Sequence, residues 1–210
     1  KAKEILYYLL TRQSPARKET ICADLWPDAS ALTASNNFHS SLRRLRNAIH
    51  PAVVVLRDGA YQVNPHIDVW FDLWAFLDSI NGAVALPKGS AKRASLLEGA
   101  IGLHDGPLLE EFYSEWAETL RRETQTSYLK TVTGLAGFHA GRKDFARAIG
   151  LLERAKNSDQ LEEDVPLHMM RYLLASGTRP QRYTCTTSTP QSCSPSWLPR
   201  HLPPCNAYMK

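Results

Sequence analysis

The sequence predicts a mainly α-helical chain in two parts, a small three-helix unit closed by a β-hairpin and a longer all-helical array. Three observations carry this expectation. Apolar residues recur at helical spacing over residues 3–49, an Asp-Gly pair then separates two β-rich runs, and from residue 68 onward the helical period is almost unbroken.

The first helix covers residues 3–10, with Ile5, Leu6, Leu9 and Leu10 on its apolar side, and the segment Thr11-Arg-Gln-Ser-Pro15 ends it. A second is expected over residues 16–26, with Ile21, Leu25 and Trp26. Pro27 stops it, because proline has no N–H to donate and restricts the residue before it. A third starts near Thr33 or Ser35, either of which is a suitable cap, and runs to about Ile49 before Pro51. Phe38, Leu42, Leu45 and Ile49 form its apolar stripe at i, i+4, i+7 and i+11.

The opposite face of that third helix presents Asn36, Asn37, His39, Ser40, Arg43, Arg44 and Asn47, with Arg46 at its border. Directly after it, Val53-Val-Val-Leu-Arg57 and Ala60-Tyr-Gln-Val63 flank Asp58-Gly59, the strongest short hairpin signal a sequence offers. Helix, helix, basic helix and hairpin, in that order, is the layout of a winged helix-turn-helix with the hairpin as its wing.

Beyond the short connection Asn64-Pro-His-Ile67, helical spacing covers residues 69–80, 92–103, 112–135 or beyond, 145–155 and 165–175, with a break at Leu86-Pro-Lys-Gly-Ser90. Helices joined by short connections indicate an α-solenoid or bundle. The chain therefore divides into a winged helix-turn-helix over residues 1–66, a helical domain over 67–178 and a tail over 179–210. The tail holds six prolines, eight Ser/Thr and no acid, a composition expected to be disordered. The change at about Thr178 is abrupt enough to suggest a frameshift or misjoined end, which resequencing the gene decides.

The charge is +4 overall but unevenly spread: residues 1–66 carry +4, 67–178 carry −4 and 179–210 carry +4. A basic front on an acidic middle suits a nucleic-acid module joined to a protein-contact module. No run of about 20 apolar residues is present and Lys1–Leu10 has no secretory cleavage pattern, so the expected location is cytoplasmic. Cys22 stands alone in an apolar pattern and reads as a small buried hydrophobe, while Cys185, Cys193 and Cys205 lie in the tail without a CxxC pair, so no metal and no cofactor is expected. Glu110, Glu111 and Glu115 are better explained as an acidic helix start than as paired catalytic carboxylates. With no phosphate loop, GxSxG or Cys/His dyad, the chain does not read as an enzyme. Trp70, Trp74 and Leu77, and likewise Phe112, Tyr113 and Trp116, read as a packing seam between the two domains.

The runs Glu19-Thr-Ile-Cys-Ala-Asp-Leu-Trp-Pro-Asp28, Asn37-Phe-His-Ser-Ser-Leu-Arg-Arg-Leu-Arg46 and Gly59-Ala-Tyr-Gln-Val63 resemble the winged helix of OmpR-type regulators, in the version found in the antibiotic-regulator (SARP) class of bacterial activators. Leu103-His-Asp-Gly-Pro-Leu-Leu-Glu-Glu-Phe112, with Glu115-Trp-Ala117, resembles the bacterial transcriptional activator domain that follows it in that class. Ala136, Ala148, Leu152 and Ala155 fall at packing positions of a tetratricopeptide-like repeat, although His139 and Gln160 depart from its pattern. The resemblance covers residues 1 to about 178. It implies a TPR-like activator domain and a short β-sheet before the first helix, so the chain reads as truncated at its N-terminus and altered at its C-terminus.

A helix in the major groove needs cations for phosphate and side chains that read base edges. Arginine pairs bidentately with guanine and asparagine with adenine, each good pair contributing roughly 1–3 kcal/mol of discrimination. Asn37, Ser40, Arg43, Arg44 and Asn47 are expected to face the groove, with Asn36 and His39 beside them and Arg46 and Arg57 on phosphate. His50, before Pro51, reads as a helix-end residue. The expected partner is double-stranded promoter DNA, with RNA polymerase or a second copy of the chain as protein partners implied by the resemblance. Two rival readings stay open: a helical-repeat interaction scaffold that has lost DNA affinity, and a non-functional remnant of a larger regulator.

Overall fold

A computed structural model describes residues 1–12, 14–156 and 164–177; the expectations for the tail over 179–210 lie outside the described residues. The N-terminal part runs α1 (Ala2–Thr11), β1 (Ala16–Arg17), α2 (Lys18–Leu25), α3 (Ala31–Ala48), β2 (Val54–Arg57) and β3 (Ala60–Val63). The helical part runs α4 (Asp72–Val84), α5 (Ala91–Leu103), α6 (Glu115–Gly141), α7 (Phe145–Lys156) and α8 (Asp164–Ala175). This is the mainly α architecture expected, a winged helix-turn-helix followed by a TPR-like array.

The hairpin forms as the Asp-Gly pair dictates. Asp58 and Gly59 adopt φ of 51° and 77°, the double left-handed turn whose twist matches that of the flanking strands. β2 and β3 pair antiparallel with Val54 opposite Val63 and Arg57 opposite Ala60. The sheet has a third member that the helical spacing over residues 16–26 concealed. Ala16 and Arg17 pair with Tyr61 and Ala60, so the strand order is β1-β3-β2 and α2 starts only at Lys18.

α3 begins earlier than Thr33 or Ser35 suggested. Ser30 is its cap: the Ser30 hydroxyl accepts the Thr33 N–H at 3.3 Å and meets the Thr33 hydroxyl at 2.9 Å, which satisfies a donor of the open first turn. Ser30→Ala is expected to lower stability by about 1 kcal/mol, read as a shift of the urea midpoint. At the other end Ile49 is exposed rather than part of the apolar stripe, because the helix stops at Ala48. His50 turns its Nδ1 to accept the Ala52 N–H at 3.1 Å and so closes the turn into the wing.

One core gathers Ile5, Tyr8 and Leu9 of α1, Ile21 and Leu25 of α2, Phe38, Leu42 and Leu45 of α3, and Val53, Val54 and Tyr61 around the hairpin. Full burial of each large side chain contributes roughly 1.5–3 kcal/mol. Cys22 is only half-buried at the edge of this core, where desolvation raises its thiol pKa. A second core runs through the array, where consecutive helices pack pairwise from α4 to α8. Ala136, Ala148, Leu152 and Ala155 are all buried there, small side chains letting α6 and α7 approach closely.

α4 starts three residues later than the helical spacing indicated, and α6 starts at Glu115 rather than Phe112. Arg121 binds three carbonyls of the loop between α5 and α6. Arg121 donates from Nε to Leu108 O at 2.9 Å and from Nη2 to Leu109 O at 2.7 Å and Phe112 O at 2.9 Å. These bonds fix carbonyls that a helix would otherwise have taken up.

α1 belongs to both cores. Ile5, Tyr8 and Leu9 face the winged helix, while Leu10 is buried in the array core with Leu6 and Tyr7 packed against it. Tyr7 meets Phe71 and Phe112 at ring distances of 6.2 and 5.7 Å, and Tyr8 meets Trp116 edge-on at 5.3 Å. Polar ties flank this seam. Trp74 Nε1 donates to Leu10 O at 2.9 Å, Ser114 Oγ to the buried Glu4 at 2.9 Å, and Lys3 Nζ reaches Glu111 at 2.5 Å. Trp74, Phe112 and Trp116 thus sit in the seam, whereas Trp70 and Tyr113 are 74 % and 85 % exposed and do not. Trp70 precedes α4, so it does not share the helix face on which the spacing had grouped it with Trp74.

Candidate nucleic-acid interface

The face of α3 turned away from the core is open along its whole length. Asn36, Asn37, His39, Ser40, Arg43, Arg44 and Asn47 are all exposed. With about 3.6 residues per turn, Asn36, Ser40, Arg43 and Asn47 fall on one line along the middle of this face, flanked by His39 on one side and by Asn37 and Arg44 on the other. Apart from the His39 ring, which leans edge-on against Phe38, none of these side chains has an intramolecular partner among the described residues. Both arginines therefore keep every donor free for a ligand.

Rigidity comes from the residues beneath. Phe38 is wholly buried and packs edge-on against Tyr61 at 4.9 Å, pinning the helix to β3, while Leu42 and Leu45 extend the contact towards its C-terminal end. Each core residue on α3 thus fixes the rotation that presents the polar line outward. Arg57 stands at the turn end of β2, exposed and without a partner among the described residues, so the wing tip carries its own cation.

Arg46 is placed differently from the other candidates. It is half-buried, and its Nη2 donates to Val54 O of β2 at 2.8 Å. The structure also brings in Lys18, which the sequence reading did not single out. Its Nζ lies 3.4 Å from Ser35 Oγ, adding a cation beside the N-terminal half of the polar face. It stands just after β1, in the first turn of α2, and no signal in the sequence pointed to it.

Behind the interface, Tyr8 donates a hydrogen bond to the Asp24 carboxylate and receives one from Arg12 Nη1 at 2.6 Å. Burial, reinforced by the bond to Asp24, holds the Tyr8 phenol well above its ordinary pKa, so it remains a neutral structural donor between α1 and α2. Among the described residues no three of His, Cys, Asp and Glu come together in a way that could hold a metal ion, and no helix is long and apolar enough to cross a membrane.

A sequence profile described as "Bacterial transcriptional activator domain" matches residues 71–181, more than half of the chain. The chain belongs to this family. Its fold is similar to that of a solved structure described as "Mycobacterium tuberculosis EmbR in complex with low affinity phosphopeptide", with a TM-score of 0.71 at 17% identity. The match covers 84% of this activator-domain chain and 49% of the EmbR chain, so the chain spans about half of EmbR's length. No curated protein sequence matches the chain.

Proposed function

We propose that the chain is a sequence-specific DNA-binding activator in which α3 lies in the major groove of promoter DNA and the β2–β3 hairpin serves as the wing. The observation that carries this reading is a polar line on α3 without partners among the described residues, together with an exposed arginine at the wing tip. A groove about 12 Å wide admits one helix, and a helix whose core face is locked by Phe38, Leu42 and Leu45 enters it in one orientation. In this reading Asn37, Ser40, Arg43, Arg44 and Asn47 face base edges, Asn36 and His39 sit beside them, and Arg57 meets the backbone or minor groove.

Residues 1–66 then form the DNA-binding domain and residues 67–178 the activator domain. The latter offers a protein partner an apolar stripe on α8, where Leu167, Met170 and Leu174 are exposed at i, i+3 and i+7. RNA polymerase or a second copy of the chain in the cytoplasm is the partner this reading assigns, following the family's role in activation. The same stripe supports the competing reading, a helical scaffold without DNA affinity.

Titration of labelled promoter DNA from the gene's own locus, followed by fluorescence anisotropy at two salt concentrations, separates the two. Binding is expected to weaken steeply with salt, with a slope in log K of about −0.9 per neutralised phosphate. Folded protein that binds neither this promoter nor nonspecific duplex at low salt sinks the DNA-binding reading and leaves the scaffold.

A further inference from the structure

β2 is an edge strand of the sheet, paired with β3 on one side only. Carbonyls along a strand alternate in direction. Val53 O accepts the Asn64 N–H at 2.9 Å, towards the β3 side, so the next carbonyl, Val54 O, points to the open edge. Arg46 Nη2 of α3 occupies that edge at 2.8 Å. The guanidinium is drawn in far enough that its Nε is buried without a partner among the described residues, an unfavourable arrangement that the bond to Val54 and the packing of the stem must offset. Among the described residues this is the only side-chain hydrogen bond between α3 and the hairpin strands.

We infer that Arg46 is a positioning residue, a strut that ties the wing to the reading helix and so sets where Arg57 stands relative to Arg43 and Arg44. The inference rests on the DNA-binding reading above and takes Arg46 off the list of phosphate contacts. A helix and a wing that contact the same duplex must keep a fixed separation, and among the described residues the hairpin joins α3 through the turn at 49–53, the shared core and this bond. Arg46 acts on DNA through the wing.

The test is a double-mutant cycle on the full chain. Arg46→Met keeps the aliphatic stem and removes the donor, Arg46→Lys returns a single donor without the orphaned Nε, and Arg57→Ala removes the wing cation. Arg46→Met is expected to weaken duplex binding about tenfold in the wild-type background but less than about twofold in the Arg57→Ala background. The salt slope of the double variant should equal that of Arg57→Ala alone. Arg46→Lys should bind within about twofold of wild type. Hydrogen exchange on DNA-free protein should show faster exchange at residues 53–63 in Arg46→Met, with the helical array unchanged.

Unchanged exchange in the wing overturns the strut. Additive losses, with the slope of the double variant lower by a further increment of about 0.9, overturn the positioning role and return Arg46 to phosphate. Absence of wild-type duplex binding overturns the DNA reading of α3 and with it the role on DNA, while faster wing exchange in the same variant still identifies the bond as the tie between α3 and β2.

Discussion

Replacing Arg43 and Arg44 together with alanine is expected to weaken promoter binding by about a hundredfold or more. The two side chains lie on and beside the middle line of the exposed face of α3 and make no bond within the chain among the described residues. Each loses either a bidentate base contact, worth roughly 1–3 kcal/mol, or a phosphate contact, which lowers the salt slope by about 0.9. Comparison of the slopes distinguishes the two: a slope unchanged with affinity lost means base reading, and a slope lower by about 1.8 means two phosphates. The fold should survive, because both positions are exposed and alanine has the highest helix propensity. Circular dichroism checks this. Wild-type affinity in the double variant would remove α3 as the DNA-contacting element.

Phe38→Ala is expected to be the most damaging single substitution on α3, lowering stability by about 3–5 kcal/mol. Phe38 is 0 % exposed and holds the helix to Tyr61 of β3. Its removal leaves a cavity between the helix and β3. A fall in the urea midpoint of about 1 M or more is the readout. The loss should be larger than for any single residue of the polar face, since those contribute nothing to the core. A cost below about 1 kcal/mol would mean that the site collapses around the gap and that Phe38 does not set the pose of α3.

Much of this arrangement was legible in the residues. The stripe of Phe38, Leu42 and Leu45 and the polar face opposite follow from helical spacing, which is a property of neighbours a few positions apart. The hairpin follows from Asp58-Gly59, whose two left-handed residues make the turn before any tertiary contact forms. The packing alanines of α6 and α7 were visible because a close helix pair tolerates only small side chains at the crossing. Boundaries were less legible. Thr33 and Ser35 are as good caps as Ser30 by residue type, and what distinguishes Ser30 is that the chain reaches helical geometry one turn earlier, with Thr33 placed to bond back.

The candidate site divides in the same way. The composition of α3 named its face, and the burial of Phe38 and Leu42 agrees with the spacing. Arg43, Arg44 and Arg46 are three similar residues within four positions, yet among the described residues two have no partner and one is bonded to a strand. Helical spacing puts Arg46 only at the border of the face; that it turns inward depends on the carbonyl direction of Val54, set by the pairing of β2 with β3. Lys18 was missed for a related reason: its nearness to Ser35 depends on how α2 crosses α3.

The sequence alone therefore determined the helices and the hairpin, the order of the two parts, the wing turn and the basic character of one helix face. All of these rest on propensities and periods that act within a few residues. The tertiary structure decided what depends on residues far apart in the chain. It made Ala16–Arg17 a strand by bringing it beside Tyr61 and Ala60, and it divided α1 between two cores. It also placed Trp74 in the seam while leaving Trp70 outside, and it turned Arg46 inward. The physical reason is the same in each case: a backbone carbonyl or an apolar face must be satisfied by whatever distant group packing brings within reach, and spacing along the chain does not reveal which group that is.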